Sequence, residues 1–304
     1  MATMTEIPEM VKTKTPYHDY HAEAHVLSGK LERPVEQEIE QHAPVALQDR
    51  RGGHFTRFTE TVSIEGLITF SKGKTRVSGS RSLKHNGWVT LSTSILEGLN
   101  AFEVITADRV VSQVSTDHAE TDGHYPSVTF LGSQFDNLRV SGFPIELKLN
   151  FAVCGDRPKD DRSYLQDLAF LSRVKQQITK VAAASGLPKE LKARYDERLS
   201  EIEKLIRTSS ASEPPAGEPK VVCSLVESIG EVPIPGVTSY GHVLVIPGFG
   251  SVSFGEITVG QTWYKDFEKP SVYFEVSNLK IDMGCLAQGQ VTASSAKANG
   301  AHRP

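Results

Sequence analysis

TVSIEGLITFSKGKTRVSGSRSLKHNGWVTLSTSIL, residues 61–96, decides the fold class. Apolar positions recur at every second residue in TVSIEGLITF, then in KTRVSGSRSLKH, then in WVTLSTSIL, and that is the period of a β-strand. Asn86-Gly87 separates the last two runs. A type I′ turn needs positive φ at both central residues, and Asn-Gly adopts it readily, so the spacing predicts a hairpin in which Trp88 pairs with His85. On that register Val89, Leu91 and Ile95 share one face, and Trp88, Thr90, Ser92 and Ser94 the other. One side is apolar and the other mostly hydroxyl, which predicts an antiparallel sheet with one wet face.

The same period extends in both directions. FEVITADRVVSQVST (102–116) reads as one long strand, Asp122-Gly123 as a second hairpin turn, and QFDNLRVSGFPIELKLNFAVC (134–154) as two more strands broken at Gly142-Phe143-Pro144. The period then becomes that of a helix. Asp160 or Asp161 caps a run with Leu168, Leu171, Val174, Ile178 and Val181 at three- and four-residue steps, closed by Gly186. Pro188 opens a second helix striped by Leu191, Tyr195, Leu199, Ile202 and Ile206. The short link between the two stripes makes an antiparallel hairpin, and one stripe per helix is what mutual pairing requires, so the hairpin is expected to be self-contained and to project toward a partner. SSASEPPAGEP (209–219) is too poor in apolar groups to pack and reads as a tether. Alternation resumes at Lys220 and runs to about residue 294.

The expected architecture is mainly β, an antiparallel sandwich or barrel with an inserted antiparallel α-helical hairpin. Its parts are an N-terminal arm with edge strands (1–57), a β-domain (58–155 and 220–294), the hairpin insertion (160–208), a linker (209–219) and a tail (295–304).

Composition narrows the function classes. The 304 residues carry 33 basic and 37 acidic groups, a formal charge of -4, without the broad positive field with which nucleic-acid binders gather phosphates. No apolar run is long enough to span a membrane as a helix, and the first 25 residues lack a signal-peptide core. The expected location is the cytoplasm, or outside the cell or at its surface if the chain is a trimmed form. Cys154, Cys223 and Cys285 have neither the number nor the spacing of a disulfide scaffold or zinc site, which fits reduced thiols.

Candidate chemistry is sparse. His18, His21 and His25 (HDYHAEAH) would line one face of a helix and could bind zinc or copper there; as a strand the segment puts His18 opposite the other two, and its alternation favours the strand. Asp117, His118, Glu120, Asp122 and His124 resemble a metal loop, yet an Asp122-Gly123 turn pairing Glu120 with Tyr125 turns His124 away from His118. Gly73-Lys74-Thr75 and Gly248-x-Gly250 lack the spacing and the following helix of phosphate-binding loops, and Cys154 and Cys223 read as buried strand thiols.

VITADRVVSQVST (104–116), FDNLRVSGFPI (135–145), VIPGFGSVSFGEITVG (245–260) and VSNLKI with its following Met283-Gly284 resemble phrases of bacterial β-rich choice-of-anchor family proteins. The resemblance covers about a third of the chain and implies a β-fold and export, but no functional residue carries over. The reading that results is a non-enzymatic β-scaffold that binds a protein partner or self-assembles as a homo-oligomer, with the hairpin as contact element. No cofactor is implied. The alternative is a small-molecule-binding β-barrel with an isomerase, cyclase or hydrolase activity built from residues scattered in sequence.

Overall fold

The structure, a computed structural model, describes residues 17–82, 86–120, 123–211, 213–264, 269–284 and 288–303. The chain begins with β1 (Tyr17–Arg33), β2 (Gln37–Ile39), β3 (Val45–Asp49), β4 (Gly53–Thr59), β5 (Val62–Ile64), β6 (Ile68–Phe70) and β7 (Lys72–Arg81). The long β8 (Trp88–Ala101) and β9 (Ile105–His118) follow, then the short β10 (Ser127–Thr129), β11 (Gln134–Asp136), β12 (Arg139–Val140), β13 (Phe143–Pro144) and β14 (Leu147–Leu149). After helices α1 (Leu168–Ala182) and α2 (Lys189–Thr208) come β15 (Lys220–Ser224), β16 (Val226–Ile229), β17 (Thr238–Tyr240), β18 (Val243–Ile246), β19 (Gly250–Thr262), β20 (Ser271–Gly284) and β21 (Gln288–Arg303).

Two sheets form a sandwich and neither closes into a barrel. The first runs β17-β18-β19-β20-β21-β1-β2, with β15 on β19 and β3 on β1; the second is built on the β7-β8-β9 meander, with β4 beyond β7. The register pairings between strands are antiparallel. Aliphatic and aromatic side chains of both sheets, among them Leu27, Leu96, Phe254 and Leu279, share one core.

The hairpin of β7 and β8 exists, but Trp88 pairs with Arg81 across a longer loop; His85 lies outside the described residues. Gly87 answers to a different demand from the one a tight turn makes. A Cβ there would sit 2.0 Å from His118 O, so glycine admits the end of β9. The expected faces are also inverted: Trp88, Thr90, Ser92 and Ser94 are buried, and Val89, Leu91 and Ile95 are half-buried. The sheets approach so closely that hydroxyls of one reach the backbone of the other. Ser92 Oγ donates to Glu23 O at 2.6 Å, Ser94 Oγ to His25 O at 2.8 Å, and Ser294 Oγ to Ser94 O at 3.0 Å. A protein acceptor thus replaces the water that the hydroxyl face was expected to meet.

Mid-strand left-handed residues break the period further. At Gly255 (φ +60) and Ser294 (φ +61) the parity of core residues changes, from Val252 and Phe254 to Ile257 and Val259, and from Val291 and Ala293 to Ala296 and Ala298. Between β8 and β9 the chain turns at Phe102 and Glu103, which both take positive φ, with Val104 N donating to Ala101 O at 3.0 Å, so the run that reads as one strand from 102 enters its strand only at Ile105.

Both ends differ from expectation. β1 is an interior strand, pairing with β21 from Tyr17↔Arg303 to Arg33↔Gln288 and with β2 and β3 on its other side; residues 1–16 lie outside the described residues. The expected tail is therefore the end of β21. Its small residues Ala296 and Ala298 are fully buried, because close sheet approach selects alanine where a looser core would take leucine. The linker is tied down as well: Gln166 Nε2 donates to Ala211 O and Glu213 O, and Trp263 Nε1 to Gly217 O.

Both helices form where the periodicity places them. The cap of α1 is Asp167, which accepts from the amides of Ala169 and Phe170, while Asp161 instead accepts from His124 N and pairs with Lys269. The hairpin is not self-contained. Phe170, Leu171, Val174, Ile178, Leu191, Tyr195 and Ile202 share a core with Val221, Cys223, Ile257, Val259 and Phe274 of the first sheet. Each stripe covers the sheet as well as its partner helix.

Candidate functional site

On α2, Arg194 and Arg198 stand one turn apart beside the buried stripe of Leu191, Tyr195, Ile202 and Leu205. Both guanidiniums reach the sheet. Arg194 Nη1 lies 2.6 Å from Asp282 Oδ2 and Arg198 Nη1 2.9 Å from Glu256 Oε1, with Lys280 Nζ 3.9 Å from the second Glu256 oxygen. Arg198 also covers the Tyr195 ring at 5.0 Å, and the Tyr195 hydroxyl is 2.8 Å from His242 Nε2. Burial pushes the His242 imidazole down to about 4, helped by Arg198 and opposed by Glu256, so it is neutral at neutral pH. Burial alone would raise the Glu256 carboxyl; the Arg198 and Lys280 charges outweigh it and hold it below the usual carboxylate range. Glu256 is ionised and fully engaged, and His242 is committed to Tyr195. Nothing here is poised as a free base; the network clamps α2 to the sheet.

Beside the clamp, a cleft of about 560 Å³ opens between the start of α2 and the ends of β18, β19 and β20. Leu191, Ile246, Pro247 and Met283 give it apolar walls, and the Arg194–Asp282 pair one polar side. Ser251, 9% exposed, also lines it.

The outer face of the second sheet carries a larger groove, about 780 Å³, across β4, β7, β8 and β9. Lys72, Lys74 and Arg76 are exposed at alternate positions of β7, which puts all three on one face. Phe58 pairs with Lys74 in register, is 69% exposed, and has the Lys74 ammonium 5.4 Å from its ring centre. Ile95 and Glu97 of β8 and Arg109 of β9 complete the floor. Glu97 stands opposite both Lys72 and Arg109 in register, yet Lys72, Lys74, Arg76 and Arg109 form no ion pair among the described residues. The Nε of Arg109 is buried without a hydrogen-bond partner. β4 pairs only with β7, so its other edge is open among the described residues.

The structure does not gather the sequence-derived metal candidates. β1 is a strand, and His18 faces the core while His21 and His25 face the other side. His18 packs against Trp88 and His118, His21 stacks on Tyr264 with centroids 4.6 Å apart, and His25 Nε2 is 3.0 Å from Ser28 Oγ. Of the loop candidates, His118 meets His18 and His124 Nε2 meets Pro270 O at 3.1 Å, while Asp122 lies outside the described residues. β10 pairs Ser127 with Asp117, one residue off the expected register. Among the described residues no group of three or more His, Cys, Asp or Glu side chains is placed to hold a metal ion. Nor is any helix there long and apolar enough to cross a membrane.

Sequence reasoning passed over the β7 cations, although their signal is present: a cation at every second position of an alternating run. Glu256, a carboxylate amid the apolar FGEITVG, was likewise a legible anomaly, but its partner on α2 was not. No curated protein and no solved structure matches the chain. A family model described as a domain of unknown function, DUF8256, matches residues 18–260, a span that holds the clamp's Arg198 and Glu256 and the whole β7 groove, and the chain belongs to that family.

Proposed function

We propose that the protein is a non-enzymatic binding module whose groove over β7 takes an extended acidic segment of a partner protein. The observation that carries this reading is the row of Lys72, Lys74 and Arg76, exposed on one face and without ion pairs, beside the uncovered ring of Phe58. Opposite charge supplies encounter rate and register, and the aromatic ring supplies a contact that excludes water. The open edge of β4 offers backbone donors and acceptors for an added strand.

The test is a fluorescence titration of the protein with a labelled, short Glu-Val repeat peptide. Saturable binding that weakens with salt and falls roughly tenfold in Lys74→Glu, about 1.4 kcal/mol, supports the reading. Equal affinity for a Lys-Val peptide, or binding indifferent to Lys74→Glu, overturns it. The cleft beside α2 supports a second reading, a site for a small, largely apolar molecule with one polar group, because Leu191, Ile246, Pro247 and Met283 wall it and the Arg194–Asp282 pair stands at one side.

A further inference from the structure

The first turn of α2 carries Glu190, Leu191 and Arg194, three and four residues apart and therefore on one side of the helix, and all three line the cleft of about 560 Å³. Leu191 is buried, Glu190 is exposed at the rim, and Arg194 stands half-buried between them. The sheet supplies the opposite wall. A Cβ at Gly250 would stand 2.1 Å from Asp282 O, so glycine there lets β19 close on β20 and sets Asp282 beside Arg194. Both Asp282 oxygens then hold protein donors: Oδ2 accepts from Arg194 Nη1 at 2.6 Å and Oδ1 from Gln290 Nε2. Arg194 is not used up in the same way. Its Nε and Nη2 have no acceptor among the described residues, and Glu190, one turn away, forms no ion pair with it there.

We infer that the cleft takes a small apolar carboxylate, its hydrocarbon body against Leu191, Ile246, Pro247 and Met283 and its carboxylate on the open edge of the Arg194 guanidinium. The assignment rests on the cleft being a small-molecule site and names the group that orients the molecule in it. A planar guanidinium has more than one edge, so one arginine can hold Asp282 on one side and a ligand carboxylate on another. An ammonium ligand has no such place: it would face the like charge of Arg194 and would need Asp282 oxygens that already hold protein donors. A hydroxyl ligand could accept from Arg194, but without the charge assistance that makes carboxylate–guanidinium hydrogen bonds roughly twice as strong as neutral ones. Glu190 works against the ligand. Its carboxylate at the rim repels a second one, which limits affinity and gives the assignment a second handle.

The experiment titrates the full chain with octanoate, n-octanol and octylammonium at neutral pH, following the methyl resonances of Leu191, Ile246 and Met283. Octanoate is expected to shift these methyls saturably and to bind roughly tenfold more tightly than octanol, with octylammonium weakest. Arg194→Met is expected to bring octanoate down to the level of octanol and to leave octanol within about twofold, and Glu190→Gln to raise octanoate affinity about two- to threefold without changing octanol. Glu190 is exposed, so that variant and the comparison of the three probes on the parent decide the matter even where Arg194→Met is unstable. Octanol or octylammonium binding as tightly as octanoate, or octanoate binding that ignores both substitutions, overturns the carboxylate assignment while leaving the cleft a small-molecule site. If none of the three probes moves the cleft methyls, the reading of the cleft falls and the assignment with it.

Discussion

The charges beneath α2 and the charges on β7 are treated in opposite ways. Glu256 is buried and Arg198 mostly covered, the two 2.9 Å apart and backed by Lys280 and by the Tyr195–His242 contact. Lys72, Lys74 and Arg76 stand in water along one strand face with no carboxylate bound to them among the described residues. The first set has its energy committed inside the fold. The second is uncompensated, at no large cost while solvated, and its field is available to something outside. The comparison separates structural charge from binding charge: where ion pairs close on themselves they clamp elements, and where they stay open they mark a surface.

The largest expected effect tests the committed half. Arg198→Leu strands Glu256 in the core with only the longer Lys280 contact, at a cost of about 3–5 kcal/mol in chemical denaturation. Adding Glu256→Leu removes the stranded charge and recovers much of that loss. A single variant within 1 kcal/mol of the parent would mean that the clamp is not what fixes α2.

Acid comes next. His242 in the folded state titrates at about 4, below the ordinary 6.5, so as pH falls from 6.5 toward 4 the unfolded chain takes up a proton that the folded one refuses. Stability falls across that window by roughly 2–3 kcal/mol. Glu256, depressed in the fold, contributes stability above its ordinary value that is lost as pH falls further, in the same direction. Denaturation midpoints measured from pH 7 to 4.5 check the slope, and His242→Phe flattens the upper part of it. The smallest stability effect belongs to the open half: Lys72→Gln, Lys74→Gln, Arg76→Gln and Phe58→Ala each change unfolding free energy by about 0.5 kcal/mol or less. A larger loss at any of them would show that the face is already engaged within the chain.

The sequence carried the element types well and the faces poorly. Alternation marked β7, β8 and β19, and the stripes of Leu171, Val174, Ile178 and of Leu191, Tyr195, Ile202 located both helices. The hydroxyls of Ser92 and Ser94 read as wet because their acceptors, Glu23 O and His25 O, lie in another sheet and carry no local signal. The alanines of β21 read as a tail for the same reason, since their burial depends on pairing with β1 at the far end of the chain. Both stripes were visible, but a stripe does not say whether a helix or a sheet covers it. As for the site, the cations of β7 were in view as letters, and only the missing counter-charges distinguish them from an ordinary solvated strand.

Charge reversal tests the central claim most directly. Lys72→Glu, Lys74→Glu and Arg76→Glu together alter only exposed positions, so the variant is expected to unfold cooperatively within a few degrees of the parent. Titrated against paired Glu-Val and Lys-Val peptides, the parent is predicted to prefer the acidic peptide and the variant the basic one, the preference inverting by roughly tenfold or more in each direction. A folded variant that keeps the parent's preference, or a parent that binds neither peptide, would contradict the assignment of the β7 face as the binding surface.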